Sequence, residues 1–207
     1  PSLLNGSDKN KSPLGKIIKT YPYKNEEGKI LSETVRFEPK EFRQRCSDGK
    51  GGLNWNLDGV RRVLYCLPEL LASKDRVYIC EGEKDTYAFP SWLNAVCFSA
   101  GAGSIPKDLS PLYYDNLKNI VIPYDKDKAG KRGMENLAKR IKSERPDLIV
   151  RMIKWDDDLP DEFDITDALD KGMDYFNGVL KNTEKFTLPV KTKTKGFDIM
   201  NMKDFVK

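Results

Sequence analysis

The sequence contains no histidine, and this absence removes every catalytic mechanism that relies on an imidazole base. Its four cysteines stand far apart and form no C-x-x-C pair, so we expect neither zinc within this segment nor disulfide bonds. No apolar run approaches the roughly eighteen residues that a membrane span needs, and no signal peptide opens the chain. These absences favour a protein of the reducing cytoplasm with no membrane partner.

A strong net charge is also lacking, because 36 lysines and arginines offset 32 acidic residues and leave +4. The distribution of charge is more informative than the total. Acidic residues cluster in 156–170, whereas basic residues concentrate in 36–62 and in the tail. This asymmetry indicates one end that binds cations and another that binds phosphates. Because the chain begins at Pro1, we expect a piece of a longer polypeptide.

Composition divides the chain into four segments. Residues 1–15 are polar, which predicts a flexible N-terminal segment. Residues 16–73 carry many arginines and a predicted β-hairpin around the turn at 25–28, which indicates a small basic α+β subdomain. Residues 74–181 alternate short apolar strands with helices, which predicts a mostly parallel sheet flanked by helices. Residues 182–207 are expected to be a linker and the start of a following module.

Within residues 74–181 the individual elements can be predicted from apolar runs and helical spacing. Strands are expected at 77–80, 95–98, 119–123 and 149–153. Helices are expected at 85–93 with Asp85 as N-cap, and at 106–113, 129–144, 165–171 and 173–180. A glycine-rich turn at 99–103 follows the second strand.

Two acidic loops each follow an apolar strand and precede a helix: Glu81-Gly82-Glu83-Lys84-Asp85 and Asp125-Lys126-Asp127. Because the carboxyl ends of parallel strands form the ligand-binding edge of a sheet, these loops would be neighbours if their strands are adjacent. Converging carboxylates repel one another, and a divalent cation relieves that repulsion. Oxygen ligands without imidazole or thiolate select Mg²⁺ or Mn²⁺, which predicts phosphoryl transfer chemistry. The alternative role for Asp85 and Asp127, a helix N-cap, is compatible with metal binding.

The pattern from Glu81 to Asp85, a glycine-containing turn, and then Asp125-Lys126-Asp127-Lys128-Ala129-Gly130 resembles the toprim domain. Bacterial-type primases, type IA and type II topoisomerases and some nucleases share that domain. The resemblance implies an α/β toprim fold, preceded here by the basic N-terminal subdomain. It implies that Glu81, Asp125 and Asp127 are catalytic and hold Mg²⁺ or Mn²⁺, with Asp85 and Asp164 as further metal-site residues. Candidates for contacts with nucleotide phosphates are Lys84, Lys128 and Lys131.

The upstream residues narrow the resemblance to one branch. The basic stretch that ends in Leu64-Tyr65-Cys66-Leu67 looks like the segment that precedes toprim in bacterial and phage primases. Residues 37–45 resemble the matching region of phage and plasmid primase-helicases, and Pro123 near the strand end is typical of phage-like members. The resemblance implies a DNA primase core in a bacterial or phage-infected cell. Its expected partners are a single-stranded DNA template, ribonucleoside triphosphates and a fused or associated helicase module.

The basic subdomain is the expected template surface, where cations would follow phosphates while aromatic rings stack on bases. The residues expected to bind DNA are Arg43, Arg45, Arg61, Arg62 and Trp55. The alternative is that the aromatic residues are core and the charges are a solvated face.

Two other functions remain open at this stage. A toprim nuclease would use the same carboxylates, although the nucleases lack the arginine-rich segment that ends in Leu64-Tyr65. A catalytically inactive DNA-binding module with a primase-like fold would not need Glu81, Asp125 and Asp127 intact. Metal titration separates an active site from an inactive module.

Overall fold

A computed structural model describes residues 15–72, 75–98, 109 and 116–189. The N-terminal part is an antiparallel sheet of four strands in the order β1 to β4. These strands are β1 (Lys16–Lys24), β2 (Ile30–Glu38), β3 (Glu41–Ser47) and β4 (Leu53–Asn54). The predicted hairpin is confirmed. Its turn forms because the Asn25 side chain accepts the backbone N–H of Glu27 and Lys29, while Gly28 adopts a φ of 83°.

The second sheet has five strands in the order β6-β5-β7-β8-β9. They are β5 (Arg76–Cys80), β6 (Ala95–Cys97), β7 (Asn119–Ile122), β8 (Ile149–Ile153) and β9 (Thr183–Lys185). The first four pair in parallel, as predicted, and β9 joins the edge in the antiparallel sense. The sequence predicted a linker from residue 182, so β9 extends the sheet past that boundary. Its three polar residues lack the apolar run that signals a buried strand.

Helices cover the parallel sheet in chain order after the short α1 (Leu67–Leu71). The main ones are α3 (Lys128–Glu144), α4 (Ile165–Asp170) and α5 (Met173–Lys181), which agree closely with the predicted ranges. The apolar stripe of α3 is buried as its spacing predicted, and the helix ends just before Pro146. The predicted turn at 99–103 and helix at 106–113 lie outside the described residues.

The prediction of a helix at 85–93 is wrong in its bounds. Helix α2 spans only Glu83–Thr86, and its N-cap is Gly82 instead of Asp85. Asp85 occupies the third helical position and accepts the Gly82 backbone N–H at 3.2 Å. Pro90 explains the early end, because a proline disfavours helical geometry at the residue before it, here Phe89.

The two sheets share one apolar core. Tyr21 and Tyr23 of β1 are buried against Tyr65, whose backbone N–H donates to the Cys97 carbonyl at 3.0 Å. Phe37 is likewise only 1% exposed, so it serves as core. All four cysteines are free thiols. No helix in the described ranges is long and apolar enough to cross a membrane.

Candidate active site

The two acidic loops lie side by side because β5 and β7 are adjacent parallel strands. Glu81 directly follows β5 and Asp125 lies just beyond β7, and the backbone N–H of Asp125 donates to Glu81 Oε2 at 3.3 Å. The structure therefore places two of the three residues predicted to be catalytic next to each other, at the carboxyl ends of adjacent parallel strands.

The electrostatics of this edge are dominated by negative charge. Burial raises the pKa of Asp125 to about 8, and the charges of Glu81, Asp85, Asp164 and Asp127 add to the effect. Burial, followed by the charge of Asp164, raises the pKa of Asp85 to about 6. Burial also raises the pKa of Glu81. Burial and mutual repulsion thus disfavour the charged forms of these carboxylates, and a bound cation would favour them.

Asp127 caps the long helix α3. Its Oδ1 accepts the backbone N–H of Gly130 at 2.5 Å, which satisfies a donor of the first turn. Gly130 is buried, and a methyl group there would overlap the carbonyl oxygen of Asp125 and lie 3.0 Å from its nitrogen. The glycine thus allows α3 to pass directly beneath the Asp125 backbone. Asp127 therefore lies in the loop where the site was predicted, and it also caps a helix, which was the alternative role considered for it.

Asp85 and Asp164 lie together where α2 meets α4. Asp164 caps α4 by accepting the backbone N–H of Thr166 at 2.7 Å and that of Asp167 at 2.9 Å. The Thr166 hydroxyl lies 3.5 Å from Asp85 Oδ1. The structure therefore places both predicted metal-site residues at one helix junction beside the carboxylate edge.

Lys84, predicted to contact phosphates, instead forms an ion pair with Asp164 Oδ2 at 2.8 Å. Although burial acts to raise the pKa of Asp164, the hydrogen bond from Lys84 and those from the backbone hold that pKa below its usual value. The Lys84 side chain is half exposed, so a ligand can still reach it.

Lys128 and Lys131 are exposed in the first turn of α3, which contains no acidic residue. Cations at a helix N-terminus oppose the helix dipole, and the Asp127 carboxylate at the N-cap offsets part of that cost; a bound anion would offset more of it. Lys126 has a different role, because its ammonium group donates to the carbonyl oxygens of Asp157 and Leu159. The Lys126 backbone also pairs with Phe163, which ties the Asp125–Asp127 loop to the segment before Asp164.

The residues predicted to bind DNA lie on the N-terminal sheet and the loop after it. Arg43 pairs with Glu41 at 2.6 Å and Arg45 with Glu33 at 2.7 Å. Arg61 forms two hydrogen bonds with Glu26, at 2.9 and 2.5 Å. Arg62 donates to the neutral amide oxygen of Gln44 at 2.8 Å and is exposed. The Arg45 guanidinium lies 5.5 Å from the ring centre of Trp55, which itself packs on Phe37.

Sequence reasoning missed the contact between Tyr23 and Glu83. The Tyr23 hydroxyl donates to Glu83 Oε1 at 2.7 Å across 60 residues of sequence. In the structure the buried residues of β1 alternate, so Tyr23 faces the core, but nothing in the sequence local to either residue indicates the pair.

A cavity of about 320 Å³ lies between α5 and the loop after β8. Trp155, Tyr175 and Asn182 contribute to its lining, and none of the predicted site residues does. The cavity is therefore separate from the edge of the sheet that carries Glu81 and Asp125.

Residues 78–163 match the family model described as Toprim-like. They form a Toprim-like domain. The matched range begins in β5 and ends next to Asp164, so it includes Glu81, Asp85, Asp125 and Asp127. No curated protein matches the chain significantly.

Solved primase structures share the fold over 78% to 82% of this chain. The primase fragment of the bacteriophage T7 primase-helicase protein matches with a TM-score of 0.53 and 20% identity, over 78% of this chain and 62% of that one. The Aquifex aeolicus primase, comprising zinc-binding and RNA polymerase domains, matches with a TM-score of 0.60 and 17% identity, over 82% of this chain and 40% of that one. The DnaG primase catalytic domain bound to single-stranded DNA matches with a TM-score of 0.61 and 19% identity, over 80% of this chain and 51% of that one.

The Toprim-like domain and its N-terminal antiparallel sheet thus reproduce the fold of primase catalytic cores, and the resemblance predicted from the sequence is confirmed. The chain spans between 40% and 62% of the length of these three structures.

Proposed function

We propose that this chain is the RNA-polymerising core of a DNA primase, which makes short primers on single-stranded DNA by metal-dependent nucleotidyl transfer. The observation that carries the proposal is the convergence of Glu81 and Asp125 at the ends of β5 and β7, within the fold of primase catalytic cores. The fold alone does not specify an activity, whereas a carboxylate pair at the ligand-binding edge supplies specific chemistry.

The residues present fit Mg²⁺ or Mn²⁺. Within the described ranges no group of three or more cysteine or acidic side chains is arranged to coordinate a metal ion by itself. Magnesium, however, is commonly held by only one or two carboxylates together with water and substrate phosphates. Glu81 and Asp125 would provide such a pair, and the raised pKa of Asp125, caused first by burial and then by neighbouring carboxylates, supports a cation at this site. A bound ion would activate the attacking hydroxyl and offset charge on the phosphoryl oxygens.

Other acidic residues support this pair from three elements. Asp127 would use the carboxylate oxygen that does not cap α3. Asp85 and Asp164, at the junction of α2 and α4, would hold a second ion or adjust the affinity for the first. Because each of these side chains is already hydrogen-bonded to backbone, its orientation is set before any ligand arrives.

Nucleotide phosphates would bind at the first turn of α3. Lys128 and Lys131 are exposed there beside the partial positive charge of the helix N-terminus. Lys84 would exchange Asp164 for a phosphate oxygen when a nucleotide enters. These three lysines would orient the triphosphate towards Glu81 and Asp125.

The template would lie on the basic N-terminal sheet. Arg62, whose contact is a neutral amide, would bind a phosphate directly, whereas Arg43, Arg45 and Arg61 would exchange acidic partners for phosphates. Trp55 would contribute through its packing with Arg45 more than through base stacking. The similarity to a DnaG domain solved with single-stranded DNA supports this partner.

A helicase module is a further part of the proposal. One similar structure is a fragment of a phage primase-helicase protein, and the segment 182–207, predicted from the sequence to be a linker and the start of a following module, would lead towards such a module. A bacterial or phage-infected cytoplasm is the compartment that this function requires.

Primer synthesis on single-stranded DNA tests the proposal. The protein is incubated with template, labelled ribonucleotides and Mg²⁺ or Mn²⁺, beside Asp125→Asn. Asp158→Asn serves as the matched control, because Asp158 is an exposed carboxylate of the acidic cluster 156–170 and lies outside the site. We expect short RNA from the unmodified protein and the control, and a loss of about 100-fold or more in Asp125→Asn.

Two other outcomes would overturn the primase assignment. Cleavage of the DNA that depends on Asp125 would identify a nuclease. Neither synthesis nor cleavage, together with no Mn²⁺ binding that depends on Asp125, would identify an inactive DNA-binding module.

A further inference from the structure

We infer that Tyr23 is a positioning residue for the carboxylate site, acting through Glu83 to tie the N-terminal sheet to the loop that carries Glu81. The activity part of this inference rests on the proposed function, while its geometry stands on the structure alone. Tyr23 lies in β1, and its hydroxyl donates to Glu83 Oε1 at 2.7 Å. Glu83 is the first residue of α2, two positions after Glu81.

The Tyr23 hydroxyl is held rigidly. Its side chain is 1% exposed, its ring centre lies 5.4 Å from that of Tyr65, and β1 is paired with β2 along most of its length. Burial raises the pKa of Tyr23 well above its ordinary value, so the hydroxyl keeps its proton and remains a donor. A hydrogen bond from such a donor to a carboxylate is among the stronger ones in proteins.

The Glu81 loop needs external support. Helix α2 has a single turn, which is too short to be stable by itself, and Gly82 leaves the backbone before it with little intrinsic stiffness. On one side, Lys84 pairs with Asp164 at 2.8 Å, and Asp85 lies 3.5 Å from the Thr166 hydroxyl. Those contacts anchor α2 to α4. The bond from Tyr23 anchors it to a different element, the N-terminal sheet.

A loop with both anchors keeps Glu81 beside Asp125, and loss of the Tyr23 contact would let Glu81 move away. The expected consequence of losing the Tyr23 hydroxyl is therefore weaker metal binding at an otherwise folded site. Removal of groups that orient metal ligands typically costs 10-fold to 100-fold in affinity.

The test compares Tyr23→Phe with Tyr65→Phe. Both changes remove one buried hydroxyl from the same cluster of rings, but the Tyr65 hydroxyl contacts that of Tyr87 at 2.8 Å and no acidic residue. Mn²⁺ affinity is measured by electron paramagnetic resonance on the whole chain, and unfolding temperature is measured in parallel. We expect about 10-fold weaker Mn²⁺ binding in Tyr23→Phe and a change within about 2-fold in Tyr65→Phe.

Primer synthesis adds a readout that a purely structural defect would not move. In Tyr23→Phe the Mg²⁺ concentration for half-maximal synthesis should rise about 10-fold, and saturating Mg²⁺ should restore kcat. A Glu83→Ala change should produce the same shift, and the double variant should be no worse than either single one.

The outcomes are distinct. Equal Mn²⁺ affinity in Tyr23→Phe and Tyr65→Phe overturns the inference, as does additive loss in the double variant. If the unmodified protein makes no RNA but binds Mn²⁺ through Asp125, the proposed function fails and the Mn²⁺ titrations still decide the role of Tyr23. A protein that binds no Mn²⁺ overturns both.

Discussion

Asp125 is the carboxyl group whose affinity for a proton rises most clearly on folding. Burial and then four neighbouring carboxylates raise its pKa to about 8, against about 3.9 in an unfolded chain. The folded state therefore binds this proton more tightly between those values. The contribution of this proton to the free energy of unfolding is fully present below the pKa of Asp125 in the unfolded chain. It is lost as the pH rises through the pKa of Asp125 in the folded state. We expect the metal-free protein to be less stable at pH 8.5 than at pH 5.5.

The measurement is urea unfolding in EDTA at the two pH values, beside Asp125→Asn. Because Asp125 is partly exposed and water screens its charge, we expect Asp125 to account for about 1–2 kcal/mol of the difference. The asparagine variant should lack that part of the dependence, and Mg²⁺ at pH 8.5 should restore stability to the unmodified protein alone. An identical pH dependence in both proteins would contradict the assigned shift.

At the residue scale, the sequence predicted the carboxylates but not their partners. Glu81 and Asp125 could be found because each follows a strand, and strand ends converge in a parallel sheet. The pairs Tyr23–Glu83 and Lys84–Asp164 join residues 60 and 80 positions apart, and they depend on how separate elements pack. Composition carries no information about such contacts.

The first turn of α3 determines whether the Asp125 loop can form. Alanine normally stabilises a helix interior relative to glycine by about 1 kcal/mol. At Gly130 the added methyl would overlap the Asp125 carbonyl oxygen, so we expect Gly130→Ala to destabilise the protein by about 2 kcal/mol and to weaken Mn²⁺ binding. Gly178 of α5 has open space around its Cβ position, so Gly178→Ala should stabilise by about 0.5–1 kcal/mol.

Chemical unfolding and Mn²⁺ titration of the two glycine variants check this prediction. Stabilisation by both substitutions would show that α3 can move away from the Asp125 loop without cost. A loss of stability with unchanged Mn²⁺ affinity would show that the loop keeps its geometry when the helix shifts.

The elements themselves were largely predictable where apolar spacing is regular. Helix α3 and the four parallel strands have a buried stripe or a continuous apolar run, and both signals are local. Helix α2 is shorter than the predicted range because Asp85, a residue type that favours the N-cap, lies inside the helix, and Pro90 falls within the range 85–93. Strand β9 has no apolar signature, since its pairing with β8 depends on the rest of the sheet being in place.

For the molecule as a whole, the basic sheet and the Toprim-like domain share a core. Tyr21 and Tyr23 pack in one apolar cluster with residues of β5 to β8, and the Tyr65 backbone bonds to Cys97. The predicted boundary at 73/74 rests on the change from an arginine-rich hairpin region to alternating strands and helices, a local pattern that does not report on packing between elements. A shared core should make both parts unfold together, so that the template surface and the carboxylate site are present or absent as one unit.

A variant that retains only Trp55 can test this cooperativity. In Trp92→Phe/Trp155→Phe, fluorescence reports on the N-terminal sheet, where Trp55 packs on Phe37 at 5.9 Å between ring centres. Circular dichroism at 222 nm in the same sample reports mainly on α3, the 17-residue helix of the Toprim-like domain. We expect the two urea transitions to coincide in midpoint and slope. An earlier loss of Trp55 fluorescence would mean that the sheet unfolds separately, and Tyr23 could then release Glu83 while the carboxylate site stays folded.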